Sequence, residues 1–166
     1  MQYLILFVLL PACILAAQTG SYSFSPPVGS GSGSSYTLSG EGRVTAVRVW
    51  ENYNSVINGI QIRQGVVWSP VGGYTYGYLL EFELREDEAI IQISGKHSHY
   101  LYSLIFTTNK GRSFYAGQPL GHSFNMYPEH PQAELLFVSG RYHGHLTAFA
   151  AHWGVIESNA DNSTGH

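Results

Sequence analysis

Two histidine pairs occupy the same place in two similar phrases of the chain. His97 and His99 sit in ISGKHSHYLYSL, from Ile93 to Leu104, and His143 and His145 sit in VSGRYHGHLTAF, from Val138 to Phe149. Residues two apart on an extended segment point to the same side, so each pair offers two imidazoles together, and converging tips would gather four. Imidazole ligates zinc or copper, packs on apolar ring faces, and gains its charge between about pH 5 and 7. The metal reading is the weakest of these, because no carboxylate or cysteine stands beside either pair. Solvated loop histidines, or polar rings touching a ligand, require nothing more. No metal and no cofactor is expected. Were a ligand held by these rings, its affinity would differ between an acidic and a neutral compartment.

Catalysis lacks a constellation. There is no G-x-S-x-G elbow, no H-E-x-x-H pair and no phosphate-binding loop. Five of the eleven acids fall between Glu81 and Glu88, where they read as a solvated strand and turn, since their spacing fits no calcium loop. A net charge of -3 with no basic stripe excludes a nucleic-acid partner. A binding protein rather than an enzyme is the expectation.

The elements that would position these residues are short strands. RVTAVRVW, INGIQIRQ, LLEFELRE, AIIQIS, YSLIFTTN, ELLFVSG and LTAFAAHW are each of strand length, rich in β-branched and aromatic residues, and separated by turn signals such as Asn58-Gly59 and Gly72-Gly73. With 166 residues, 12 tyrosines, 19 glycines and only 11% charge, the chain has the composition of one extracellular all-β domain. Met1 to Ala16 is an apolar run of secretory-leader length, too short to span a membrane, and it contains the only cysteine, Cys13. A mature secreted chain would thus hold no disulfide. Residues 17–28 are expected to be a flexible segment, 29–156 the folded domain, and 157–166 a polar tail with a glycosylation triplet at Asn162. The tryptophans Trp50, Trp68 and Trp153 are expected in core or inter-sheet packing.

The doubled phrase is part of a repeat. At a spacing of 45, Gly95 matches Gly140, Lys96 matches Arg141, and Leu101 and Leu104 match Leu146 and Phe149. A third copy lies upstream at a spacing of 44, with Val49 against Ile93, Ile60 against Leu104 and Ile62 against Phe106. A lone hairpin cannot bury an apolar face. Three of them, each completed by neighbouring strands, should close around one core with approximate threefold symmetry.

The ordered series VTAVRV, GIQIRQGVVWS, IIQISGK, TNKGRSFYAG, GHSFN and SGRYHGHLTAFAAHW resembles the jacalin-related lectins, and within them the type found in zymogen granules of vertebrate secretory cells. The resemblance spans roughly Gly29 to Val155. It implies a β-prism I fold, three Greek-key antiparallel sheets with pseudo-threefold symmetry, and a mannose-type glycan site where three loops meet. The family's glycine-rich loop falls on Gly29, Ser30, Gly31, Ser32 and Gly33, where backbone amides could approach a sugar with no Cβ in the way. Its recognition loop falls on Ser98, His99 and Tyr100, and its binding loop on Tyr142, His143, Gly144, His145, Leu146 and Thr147.

Two positions depart from the family. The aspartate that accepts two sugar hydroxyls is Thr147 here, a change that removes about 1.5–3 kcal/mol of charged hydrogen bonding. The basic residues that suit sulfated partners are replaced by Ser34, Ser35 and Ser98. The resemblance therefore implies a secreted lectin for neutral glycans or glycoproteins of mucus, microbial surfaces or granule contents, released by way of secretory granules. The alternative is a protein-interaction module on a lectin scaffold that has lost its sugar.

Overall fold

The computed structural model describes residues 21–53 and 55–156; the expected leader 1–16, the tail 157–166 and Asn162 lie outside them. Thirteen strands are formed: β1 (Ser23–Val28), β2 (Ser34–Leu38), β3 (Val44–Glu51), β4 (Ile57–Gln64), β5 (Val67–Trp68), β6 (Gly72–Gly73), β7 (Tyr78–Glu83), β8 (Ile90–His97), β9 (Leu101–Thr108), β10 (Ser113–Gly117), β11 (His122–Met126), β12 (Glu134–His143) and β13 (His145–Gly154). No helix occurs among the described residues.

Three antiparallel sheets result. Their orders are β1-β13-β12-β2, β10-β9-β8-β11 and β5-β4-β3-β7, with β6 also on β4. The last two are Greek keys, in which the fourth strand returns beside the first. The first sheet shows the same order only if the chain is read through its ends, because β1 and β2 complete the hairpin β12–β13. We call it the terminal sheet, with β8–β11 the middle sheet and β3–β7 the leading sheet.

β1 corrects the expectation of a flexible segment over 17–28 at Ser23–Val28, residues 17–20 lying outside the described ones. Ser23 and Ser25 face inward and Ser25 accepts the Trp153 indole N–H at 2.9 Å. Pro26 and Pro27 are accommodated at a register slip between Ser25 and Val28, on an edge strand where the missing N–H leaves no ladder bond unmade. Backbone pairing, which composition does not reveal, orders this stretch.

The three repeated hairpins are β3–β4, β8–β9 and β12–β13. The spacing of 45 holds on both strands of the last two: Ile93 pairs Phe106 as Val138 pairs Ala151, and Gly95 pairs Leu104 as Gly140 pairs Phe149. The constant spacing of 44 for the leading copy does not hold on its first strand. Val47, not Val49, occupies the place of Ile93, since Val47 pairs Ile62 and Val49 pairs Ile60. Val47 and Val49 are both inward and apolar, so hydrophobicity alone could not fix the register.

The core lies between the sheets. Val47, Val49, Ile60, Ile62, Ile93, Leu104, Phe106, Val138, Phe149 and Trp153 are all fully buried in it, at about 1.5–3 kcal/mol for each large side chain removed from water. Trp50 and Trp153 are buried as expected, whereas Trp68 lies half-buried with the Arg48 guanidinium 3.9 Å above its ring. The acidic run is likewise corrected at one residue. Glu88 is buried, accepting from the Arg85 amide, the Thr108 hydroxyl and Arg112, each at 2.7 Å.

Candidate functional site

Each Greek key has a loop that leaves one strand and reaches the next through two glycines with positive φ. The pairs are Gly29 and Gly33, Gly73 and Gly77, and Gly117 and Gly121, with φ between 85° and 103°. A Cβ at Gly29 would stand 2.2 Å from the Thr147 carbonyl oxygen and one at Gly33 2.1 Å from that of Tyr142, so no other residue lets the loop lie this close to the hairpin beside it. The pairs recur every 44 residues, a signal present in the sequence that the strand-based repeat search missed. What stands between them differs: Ser30-Gly31-Ser32 in the first, Tyr74-Thr75-Tyr76 in the second, Gln118-Pro119-Leu120 in the third. Only the first loop is lined by small residues.

The three loops nominated from sequence do converge at that place. The Ser30 amide donates to the His99 carbonyl at 3.2 Å and the Gly31 amide to the Thr147 carbonyl at 3.0 Å. The Thr147 hydroxyl donates to the Ser32 carbonyl. The three loops are thus stitched into one surface, here called the cup, from the β1–β2 loop, the β12–β13 hairpin and the tip of the middle hairpin. The Ser30 and Gly31 amides are used in that stitching, so the loop's further donors are Ser32 and Gly33, which have no backbone partner among the described residues. No acid lies in any of the three loops.

The nominated residues do not all share one surface. Ser30, Gly33, Ser98, His99, His143 and Gly144 are exposed, and Gly29, Gly31, Ser32, Tyr100, Tyr142 and His145 are half-buried. Leu146 and Thr147 are fully buried, Leu146 within the core. The four imidazoles do not gather. His97 lies across from His122 on β11, ring centroids 6.2 Å apart, while His145 turns toward tyrosines, and no three His, Cys, Asp or Glu side chains cluster for a metal among the described residues.

His145 is the hub of a network the sequence reading did not find. Its Nδ1 lies 2.7 Å from Asn58 Oδ1 and 3.1 Å from the Tyr76 phenol oxygen, and its ring meets Tyr100 edge-on at 5.0 Å. Asn58 Nδ2 donates to Asn52 Oδ1 at 2.8 Å and the Tyr76 carbonyl at 2.9 Å, so Asn58 Oδ1 accepts and His145 Nδ1 carries the proton. The Tyr76 phenol donates to the Gly144 carbonyl, and the Tyr74 phenol accepts from the Gly144 amide at 3.4 Å. The hairpin tip is thereby clamped by the leading sheet. Burial pushes the His145 imidazole below, and the Tyr76 phenol above, its ordinary range. The available cue was YTYGY after Gly73, with tyrosines that no core pattern required.

Such a surface has hydroxyls, amides and aromatic edges, and no charge aimed into it. It can bind a polyol and has no group placed to cleave one.

Comparison with known proteins agrees with this. A family model described as a jacalin-like lectin domain matches residues 25–152. The chain is 41% identical over 147 residues to human zymogen granule membrane protein 16, covering 87% of each. Among solved structures it is similar to a prostate-specific WGA16 glycoprotein lectin, with TM-score 0.69 and 28% identity over 84% of this chain and 94% of that one. It also shares its fold with artocarpin complexed with methyl-α-mannose, with TM-score 0.70 and 21% identity over 84% and 99% of the two chains. Lectins bind carbohydrate without transforming it. The three-sheet prism, the stitched loop cup and the matched domain lead to one conclusion: this chain belongs to the jacalin-like lectin family.

Proposed function

We infer that the cup holds a hexose of a neutral, mannose-type glycan, and that the protein is a secreted lectin of mucus, microbial-surface or granule glycoproteins. The observation that carries this reading is the Ser-Gly loop, brought within hydrogen-bond distance of both hairpins, with open space at Gly31 and no side chain larger than serine along it. Tyr100 supplies an aromatic ring beside it. Secretion by way of granules is supported by the leader-like residues 1–16 and by the relative named for zymogen granules.

One feature favours a second reading, a protein-binding module that no longer takes sugar. The Thr147 hydroxyl is consumed by Ser32, so the family's anionic acceptor has no substitute in the cup. A glycan array followed by calorimetric titration of the purified protein decides between them. Binding of methyl-α-mannoside or mannose-ended glycans supports the lectin reading. A blank array with a folded protein leaves the second.

A further inference from the structure

A groove lies behind the cup, on the outer face of the terminal sheet. It encloses about 420 Å³, within the usual span of small-ligand sites, about 300–1,000 Å³. Ala148 and Ala150 form its floor, the exposed ring of Phe24 with Pro27 one wall, and Ser35 and Thr37 lie opposite. Arg141 stands at one side, its Nε donating to the Gly33 carbonyl at 3.2 Å. Arg43, Arg48, Arg63 and Arg112 each hold a carboxylate, whereas Arg141 forms no ion pair among the described residues. At its upper end the groove is lined by Gly29, Ser30 and Gly31, the same residues that face the cup. The partition between the two is one strand of backbone, and at Gly31 a Cβ would meet nothing within 4 Å.

The pseudo-threefold repeat supplies an internal control. Ser94, Gly95, Lys96, Ser103 and Ile105, which stand 45 residues before Ser139, Gly140, Arg141, Ala148 and Ala150, line an equivalent groove on the middle sheet of only about 240 Å³. Ile105 fills the floor there, and Pro119 in place of a Ser-Gly run closes its upper end. On the leading sheet the outer face carries Trp68 under Arg48, with Arg48 and Arg63 paired to Glu81 and Glu83. The fold does not impose a groove of this size; Ala150 where the middle sheet has Ile105, and a Ser-Gly loop where it has Pro119, enlarge it beside the cup.

We propose that this groove is an extended subsite, taking the sugar units that follow the one in the cup, so that the lectin selects oligosaccharides over monosaccharides. The occupant is the continuation of the same glycan. Its ring faces pack on Phe24, Pro27 and the alanine floor, and its hydroxyls meet Ser35, Thr37 and the Arg141 guanidinium, whose planar fork suits adjacent oxygens. This rests on the lectin reading above.

The test is a chain-length series by calorimetry: methyl-α-mannoside, then α-linked mannose di-, tri- and tetrasaccharides. Affinity is expected to rise about tenfold or more from mono- to tetrasaccharide, each factor of ten being about 1.4 kcal/mol. Ala150→Ile, which copies the middle sheet's Ile105 and so suits the fold, and Phe24→Ala, on the exposed wall, should each remove that rise while leaving monosaccharide affinity within about twofold. Equal affinities along the series in the parent protein, or a rise that survives both variants, overturns the proposal with the lectin reading intact. Failure of every sugar to bind overturns the lectin reading itself.

Discussion

At the residue scale the cup depends on backbone approach and on one neutral side chain. Gly29→Ala places a methyl against the Thr147 carbonyl, and at least about 2 kcal/mol of stability should be lost, a fall of about 4–8 °C in Tm. Gly31→Ala meets open space and strains only φ, which is 72°, so about 1 kcal/mol is expected. Thermal melts of the pair separate contact from conformation. Thr147→Asp returns the family's acceptor but sets a carboxylate where a hydroxyl now donates to Ser32. Calorimetry should show about tenfold tighter hexose binding, and melting should show lower stability. His145 and His152 are both held below their ordinary pKa of 6.5 by burial, among Asn58, Tyr76 and Tyr100 in one case and Tyr22, Phe24, Phe137 and Ser139 in the other. The folded state then binds fewer protons than the unfolded one. Their contribution is complete above the unfolded value of about 6.5 and is lost as the pH falls from there through the lower folded-state pKa. Tm should drop between pH 7.5 and 5, and less so in His145→Gln.

At the element scale, the hairpins were legible because each carries its own apolar signal, and the edge strands were not. Seven runs named from sequence correspond to β3, β4, β7, β8, β9, β12 and β13, the interior strands and one edge. β1, β2, β10 and β11 are held by backbone ladders on one side only, so SFSPPV and HSFNM needed no strong pattern. The candidate loops were placed through the family's motif order, and three of their contacts are visible here. The Tyr74–Tyr76 clamp escaped because it acts between sheets. Turns have anchors of their own: Glu88 ties the β7–β8 turn to β9 and Arg112, and although burial opposes its charge, the amide, hydroxyl and guanidinium hold its carboxyl below the usual range. Glu88→Gln should cost about 2 kcal/mol, read as a lower denaturation midpoint with an unchanged slope.

At the scale of the whole molecule, threefold repetition builds three glycine-flanked loops with different linings. Tyr76 bridges the leading loop to Gly144 and His145, Leu120 stands exposed in the middle one, and the first is lined by serine and glycine alone. Titration with a mannose glycan should give about one ligand per chain. The terminal sheet has a further consequence. Its Greek key joins β1 and β2 to β12 and β13, and the Thr147 bond to Ser32 spans 115 residues. During synthesis the first two strands wait unpaired until nearly the whole polypeptide has emerged, while the leading and middle sheets can already form. A nascent chain stalled before its last hairpin has most of a scaffold and no assembled cup. Assembly of the cup waits for the last hairpin, so on the proposed lectin reading a truncated product is blind rather than partly active.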